Sequence, residues 1–324
     1  MKTALRPANL YGAFRKALPK AFIALLLVLC LPTLSETLCA EGSKQATYKS
    51  PQEAVEALVA AVKVGATPGI ISVLGPEGED IAESGDAAAD ASARQRFVTA
   101  YSERHEIRHD DEAKAVLILG NDEFPFPIPI VANKRVWRFD TAAGIEEILD
   151  RRIGENELAA MEVLRAYIDA QQEYATVDHD GKGLQYARRI LSNEGKQDGL
   201  YWPTTADEPQ SPLGPLVANA RAEGYQKRGE DQPAPYHGYL FRVLTEQGKN
   251  AAGGARDYIV GGRMIGGFGM VAAPAEYGNS GVMTFIVNHG GEIYEKDLGE
   301  DTARTAAQMK TFNPDSSWTV VKND

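Results

Sequence analysis

Cysteine is nearly missing from this chain: there are two in 324 residues, Cys30 and Cys39, both within the first forty. Beyond position 40 there is no thiol, which excludes disulfide bracing, thiol nucleophiles and sulfur-ligated metals there. The 284 residues that follow must be stabilised by core burial, and their number suggests two domains. An apolar run long enough to cross a bilayer is also lacking. Residues 21–31 are apolar but fall well short of the ~20 residues that a spanning helix needs. Positive charge is scarce. With the first forty residues set aside, 29 basic residues face 44 acidic ones, a net of −15. Such a surface repels phosphate backbones and anionic lipid, which argues against nucleic acid and polybasic membrane docking. No G-K-[ST] phosphate loop occurs.

The N-terminus has the layout of a secretory signal peptide. Lys2, Arg6, Arg15, Lys16 and Lys20 precede the apolar run, Pro32 ends it, and the small Ala40 stands before Glu41. Residues 1–40 are expected to be removed, leaving a periplasmic or secreted protein with no stable membrane span. Leu29 and Leu38 precede the cysteines at positions where lipid attachment wants a small residue, so a lipoprotein is not expected.

Residues 48–152 read as an α+β domain. Ser50, Pro51 and Glu53 form a helix start, Val55, Leu58, Val59 and Val62 repeat at helical spacing, and Gly65 ends the helix. A second helix is expected over 87–105, strands over 114–119 and 136–139, an edge-like proline-rich stretch over 124–131, and a helix over 142–152. Helices over a curved sheet resemble the cone-shaped nuclear-transport-factor-2-like domains, a likeness of fold only. The third segment, 153–324, begins with a long helix over 155–176. An irregular excursion rich in proline and charge follows, with a short helix near 216–222. Five strands are then expected over 239–244, 258–260, 267–272, 282–288 and 293–296, with a closing helix capped by Asp301. A long helix leading into an antiparallel meander is similar to the type IV pilin layout.

Several motifs have chemical readings. His105-Glu106-x-x-His109 matches the zinc-hydrolase pattern, in which two histidines one helical turn apart bind metal and the glutamate acts as base. The spacing of Phe97, Tyr101, His105 and His109 places them on one helical face, with Glu146 or Glu147 as a third ligand. Against this, the motif is followed by Asp110, Asp111 and Glu112 and has no apolar flank. Asp178 and Asp180, followed by Gly181 and Gly183, suit a calcium loop, but neither register supplies the closing glutamate. Gly267-x-Gly269-x-x-Ala272 is followed by Pro274, so it is read as strand rather than a dinucleotide site. Gly278-Asn279-Ser280-Gly281 is a turn rather than a nucleophile elbow. His237, Glu276, Tyr277 and His289 flank strand ends, where a glutamate and a histidine could act as an acid–base pair. Trp202, Tyr236, Tyr239 and Tyr277 could line a pocket for an apolar ligand or glycan, or simply pack in the core.

A family resemblance rests on five blocks: Phe139-Asp140-Thr141-Ala142-Ala143-Gly144; Arg151-Arg152-Ile153-Gly154 with Asn156-Glu157-Leu158; Asp198-Gly199-Leu200-Tyr201-Trp202-Pro203; Tyr236-His237-Gly238-Tyr239; and Pro274-Ala275-Glu276-Tyr277-Gly278 with the run from Gly281 to Asn288. The chain resembles the exported bacterial family called domain of unknown function 2950, over nearly all of its length past the leader. That resemblance implies no activity. The expectation is an exported cell-envelope protein with a non-catalytic binding or assembly role, its partner an envelope protein, with no cofactor. Two alternatives accompany it: a zinc-dependent extracytoplasmic hydrolase using His105, Glu106 and His109, and a small-ligand binder through the N-terminal cone.

Overall fold

Ser50 starts the first helix, α1 (Pro51–Val64): its side chain accepts the Glu53 N–H at 3.1 Å, and the Glu53 carboxylate accepts the Lys49 N–H at 3.0 Å. Gly65 ends it in the left-handed conformation, φ 72°. Val55, Leu58, Val59 and Val62 are buried as the spacing predicts, and Ala54 is buried beside them. Each larger one contributes about 1.5–3 kcal/mol of transfer free energy. The structure is a computed structural model, described over residues 44–205, 207–225 and 234–322. The expected signal peptide lies outside the described residues, as does part of the excursion after residue 193.

Helices α2 (Thr67–Leu74), α3 (Glu79–Ala82) and α4 (Ala87–Glu103) follow, then strands β1 (His105–His109), β2 (Lys114–Leu119), β3 (Phe124–Pro125), β4 (Ile130–Asn133) and β5 (Val136–Phe139). The strands form an antiparallel sheet ordered β1-β2-β4-β5, with β3 also on β2. Helices α1, α2 and α4 lie against it around a core that includes Leu58, Leu74, Leu117, Ile130 and Phe139.

One sequence expectation fails here. Residues 105–109 do not extend the second helix. Arg104 turns the backbone to φ −161° and ψ 138°, and the next five residues pair one for one with Ala115–Leu119. Cross-strand pairing to the buried β2 outweighs the helical spacing.

Helix α5 (Ile145–Tyr174) is one rod of 30 residues, ~45 Å long, where two helices over 142–152 and 155–176 are expected. Gly154 lies in its interior and does not interrupt it. Of the apolar positions at helical spacing, Leu158, Met161, Leu164 and Ile168, only Leu158 is exposed, at 63%. The buried stripe includes Ala160, Val163, Leu164, Tyr167, Ile168 and Tyr174.

Past the short α6 (Gly214–Ala222), the chain forms β6 (Tyr239–Leu244), β7 (Glu246–Gln247), β8 (Arg256–Asp257), β9 (Ile259–Val260), β10 (Arg263–Met264), β11 (Gly269–Pro274), β12 (Met283–Asn288) and β13 (Ile293–Asp297). Helix α7 (Thr302–Gln308), β14 (Thr311–Phe312) and β15 (Thr319–Val320) close it. The main sheet is antiparallel in the order β15-β13-β12-β11-β6; the short β14–β7 pair is parallel. Alternation along β11 and β12 sends Met270, Ala272, Phe285 and Val287 toward α5, and Val271 and Ile286 toward Phe312 and Trp318. That two-sided burial explains why residues 283–287, Met-Thr-Phe-Ile-Val, are apolar or neutral on both faces. Asp301 makes no side-chain cap to α7; it pairs with Arg304 at 2.7 Å. All described residues belong to one compact unit, Glu41–Asp324, and the architecture is α+β with antiparallel sheets. Among the described residues, no helix is long and apolar enough to cross a membrane.

Candidate functional site

The N-terminal half carries a partly open cavity of about 790 Å³. Leu58, Val62, Ile70, Leu74, Leu119 and Phe126 contribute to its apolar wall. One side is the face of α4 carrying Ala89, Ala93, Phe97 and Ala100, and another is the first turns of α5 through Ile148, Arg151 and Arg152. The small alanines leave much of the space: on a helix, positions four apart share a face, and Ala89, Ala93 and Ala100 add little bulk beside the single large Phe97. The volume falls within the ~300–1,000 Å³ typical of small-molecule sites.

The polar end of the cavity is a junction between the two halves. Arg152 donates from Nη1 to the Asp80 carbonyl at 2.6 Å and to Asn279 Oδ1, and from Nη2 to the Ile81 carbonyl at 2.9 Å. Burial lowers its pKa, partly offset by Asp90, Asp80 and Glu276. None of these carboxylates forms an ion pair with it. Asn279 in turn donates to the Glu83 carbonyl (2.9 Å) and to Glu276 (3.0 Å). From α5, Asn156 donates to the Ser280 carbonyl, and one Glu157 oxygen accepts the N–H groups of Val282 and Met283.

Beside this lies Asp86, 1% exposed. One of its oxygens caps α4 by accepting the Ala88 and Ala89 N–H groups, both at 3.1 Å. The other accepts the Tyr225 hydroxyl and the Gly238 N–H, both at 2.9 Å. Tyr225 oxygen also takes the His237 N–H, steadying that residue at φ 47°. Sequence reasoning missed Asp86, Arg152 and Asn279 as a group. The only signal was local: Asp86 as an N-cap ahead of an alanine-rich helix.

The residues singled out in the sequence do not converge. His105 and His109 lie on β1, four strand residues and so ~13 Å apart along the backbone, whereas one zinc ion needs both within ~2 Å. The His105 ring stacks on Tyr101, with Nδ1 2.9 Å from the Tyr101 carbonyl, and His109 meets the edge of Trp137. Glu106 is exposed on the same strand. Asp178 is occupied by its own loop, accepting the N–H groups of Asp180, Lys182 and Gly183. These bonds, that from Gly183 foremost, hold its carboxyl below the usual carboxylate range. Asp180 accepts the Lys182 N–H and pairs with the Lys182 ammonium. Among the described residues, no group of three or more His, Asp or Glu is placed to hold a metal.

The candidate binding surface separates into several places. Tyr239 is a core residue, 0% exposed, donating to the Met283 carbonyl at 2.8 Å. Tyr236 and His237 cluster with Tyr225 and Glu223; His237 Nε2 is 3.1 Å from the Glu223 carboxylate, and burial followed by Glu223 pushes Tyr236 up to about 12. The glutamate facing His237 is thus Glu223, not Glu276, which bonds Asn279 at the junction. Tyr277 is exposed and donates to Asp297 at 3.3 Å. Trp202 lines a second cavity of about 580 Å³ with Tyr174 and His179, far along α5 from the first.

His289 accepts a hydrogen bond from Arg256 on Nε2 at 2.7 Å, so its proton is on Nδ1, which is buried without a partner among the described residues. Burial, then Arg256, pushes its pKa below the ordinary 6.5. The unfolded chain binds this proton more readily. Stability should be full above about pH 6.5 and fall as the pH drops from there through the lowered folded value. Urea titrations between pH 7.5 and 5 should show this, and His289→Leu should flatten the slope over that window. An unchanged slope would refute the assignment.

No curated protein and no solved structure matches this chain. A family model described as protein of unknown function, DUF2950, matches residues 45–321. The blocks quoted from the sequence include Gly144, Arg152, Asn156, Glu157, Gly238 and Glu276, several of which meet at the junction just described, and the chain belongs to that DUF2950 family.

Proposed function

We propose that this protein is an exported, non-catalytic binder of a small apolar or amphipathic molecule held in the N-terminal cavity. The observation that carries this reading is the cavity itself: about 790 Å³, walled by aliphatic and aromatic side chains and polar at one end. The nuclear-transport-factor-2-like likeness belongs to this reading, supported by three helices laid against an antiparallel sheet. The pilin-like likeness of the C-terminal half is supported by α5 packed on β11 and β12. Export rests on the leader pattern in residues 1–40. The reading needs neither zinc nor calcium, and no enzymatic step. Docking of an envelope protein on the open edge of β1 is the second reading. That edge reads His-Glu-Ile-Arg-His, a charged composition that disfavours strand addition, so the cavity is preferred.

The test is titration of the purified protein with Nile red, a neutral apolar fluorophore. Saturable enhancement is expected, and Ala93→Trp, on the exposed side of α4 at the cavity wall, should weaken it at least about tenfold with unchanged melting temperature. No saturable binding, or binding indifferent to Ala93→Trp, would refute the proposal. Metal analysis of the same preparation decides the hydrolase alternative: stoichiometric zinc abolished by His105→Ala would replace the present reading.

A further inference from the structure

The two edges of the N-terminal sheet differ. The outer edge of β5 is closed by Tyr48, which exchanges two backbone hydrogen bonds with Trp137, both at 2.8 Å. At the other end of the order, no strand lies outside β1 among the described residues. The inner side of β1 is set by its ladder. Gly120 donates to the Arg104 carbonyl at 2.9 Å, and Asp110 donates to the Lys114 carbonyl at 3.0 Å. Hydrogen-bonded pairs alternate in an antiparallel ladder, so the even positions from 104 to 110 bond β2. The N–H and carbonyl groups of His105, Ile107 and His109 therefore point outward, away from β2. Side chains alternate as well. Ile107 packs on the core, whereas Glu106 and Arg108 are exposed on the opposite face. Neither enters a side-chain hydrogen bond or an ion pair among the described residues.

We infer that β1 is a homodimer interface: two copies of this chain pair antiparallel along it, across a two-fold axis at Ile107, and continue the sheet from one molecule into the next. The charges that turn away an unlike strand match a second copy of themselves. In this register Glu106 faces the partner's Arg108 and Arg108 faces the partner's Glu106. Just beyond the strand ends, Arg104 faces the partner's Asp110, again with opposite sign; within one chain these two are held only by the exposed pairs Arg104–Glu123 and Lys114–Asp110. Opposite charges directly across a strand pair stabilise it and like charges destabilise it. The outward backbone groups of 105, 107 and 109 also meet in register, giving about six N–H···O=C bonds. The smallest slip that keeps those groups matched is two residues. In one direction it sets Glu106 against the partner's Glu106, and in the other Arg108 against the partner's Arg108. Charge thus selects one alignment. The edge is short, so the dimer is a weak one. The inference does not depend on what the cavity holds.

The experiment is sedimentation velocity of the purified protein at about 5–500 µM, where a weak dimer forms progressively. Wild type should pass from monomer toward dimer over that range. Glu106→Arg and Arg108→Glu each set like charges at two cross-strand contacts, so either alone should weaken the dimer at least about tenfold. Both side chains are exposed and unpartnered among the described residues, so neither melting temperature should move. An equimolar mixture of the two variants should dimerise again, because one edge is then basic at 106 and 108 and the other acidic. The double variant carrying Glu106→Arg with Arg108→Glu should self-associate as wild type does. Wild type that stays monomeric throughout, a dimer that neither single variant weakens, or a mixture that recovers nothing would each overturn the inference.

Discussion

Asp86→Ala should destabilise the protein by about 3–7 kcal/mol. The removed carboxylate satisfies four donors at once. Two are the first N–H groups of α4, whose loss as an N-cap costs about 1 kcal/mol. The others, Tyr225 Oη–H and Gly238 N–H, belong to the C-terminal half and would be orphaned in a buried place at about 1–3 kcal/mol each. Two further variants separate the shares. Asp86→Ser can still cap α4 but cannot reach Tyr225 and Gly238, so it should recover about 1 kcal/mol. Tyr225→Phe should cost less than Asp86→Ala, since it leaves the cap and the Gly238 bond in place. Chemical denaturation of the four proteins gives the answer. An alanine variant within about 1 kcal/mol of wild type would show that Asp86 does not join the halves.

Gly144→Ala is the second large effect, expected at about 3 kcal/mol. Gly144 stands immediately before α5, and a Cβ there would lie 2.6 Å from the Pro127 carbonyl carbon and 2.8 Å from Ile128 Cα. These are backbone atoms in a proline-rich stretch and cannot swing aside as a side chain would. The start of α5 would have to move, carrying Ile148 and Arg152 of the cavity wall with it. Binding should therefore weaken alongside stability. Gly154 is the internal control. It sits inside the same helix, and nothing lies within 4 Å of where its Cβ would stand, so Gly154→Ala should stabilise by up to about 1 kcal/mol. Melting curves of the pair decide it: two alanine variants of equal stability would mean that the helix start is not wedged against residues 127–128.

Local chemistry was legible wherever it acts within a few residues. Ser50 and Gly65 bound α1 as their types dictate, and the apolar spacing of Val55, Leu58, Val59 and Val62 names its buried face. The two-sided apolar pattern over 283–287 identifies a central strand, because a strand covered on both faces cannot alternate. Composition alone removes thiol chemistry from the chain past residue 40 and makes that part strongly acidic. What the sequence could not express is which distant segments meet. The five residues from His105 to His109 fit a helix by spacing and a strand by pairing, and the choice belongs to β2, whose buried Leu117 and Leu119 need a neighbour. The cavity is likewise a property of the packing: alanines along α4 read as helix formers until the sheet and α5 enclose the space they leave. Asp86, Arg152 and Asn279 lie far apart in the chain and are ordinary as letters; they become a site only because folding removes them from water together, where each remaining donor must find an acceptor.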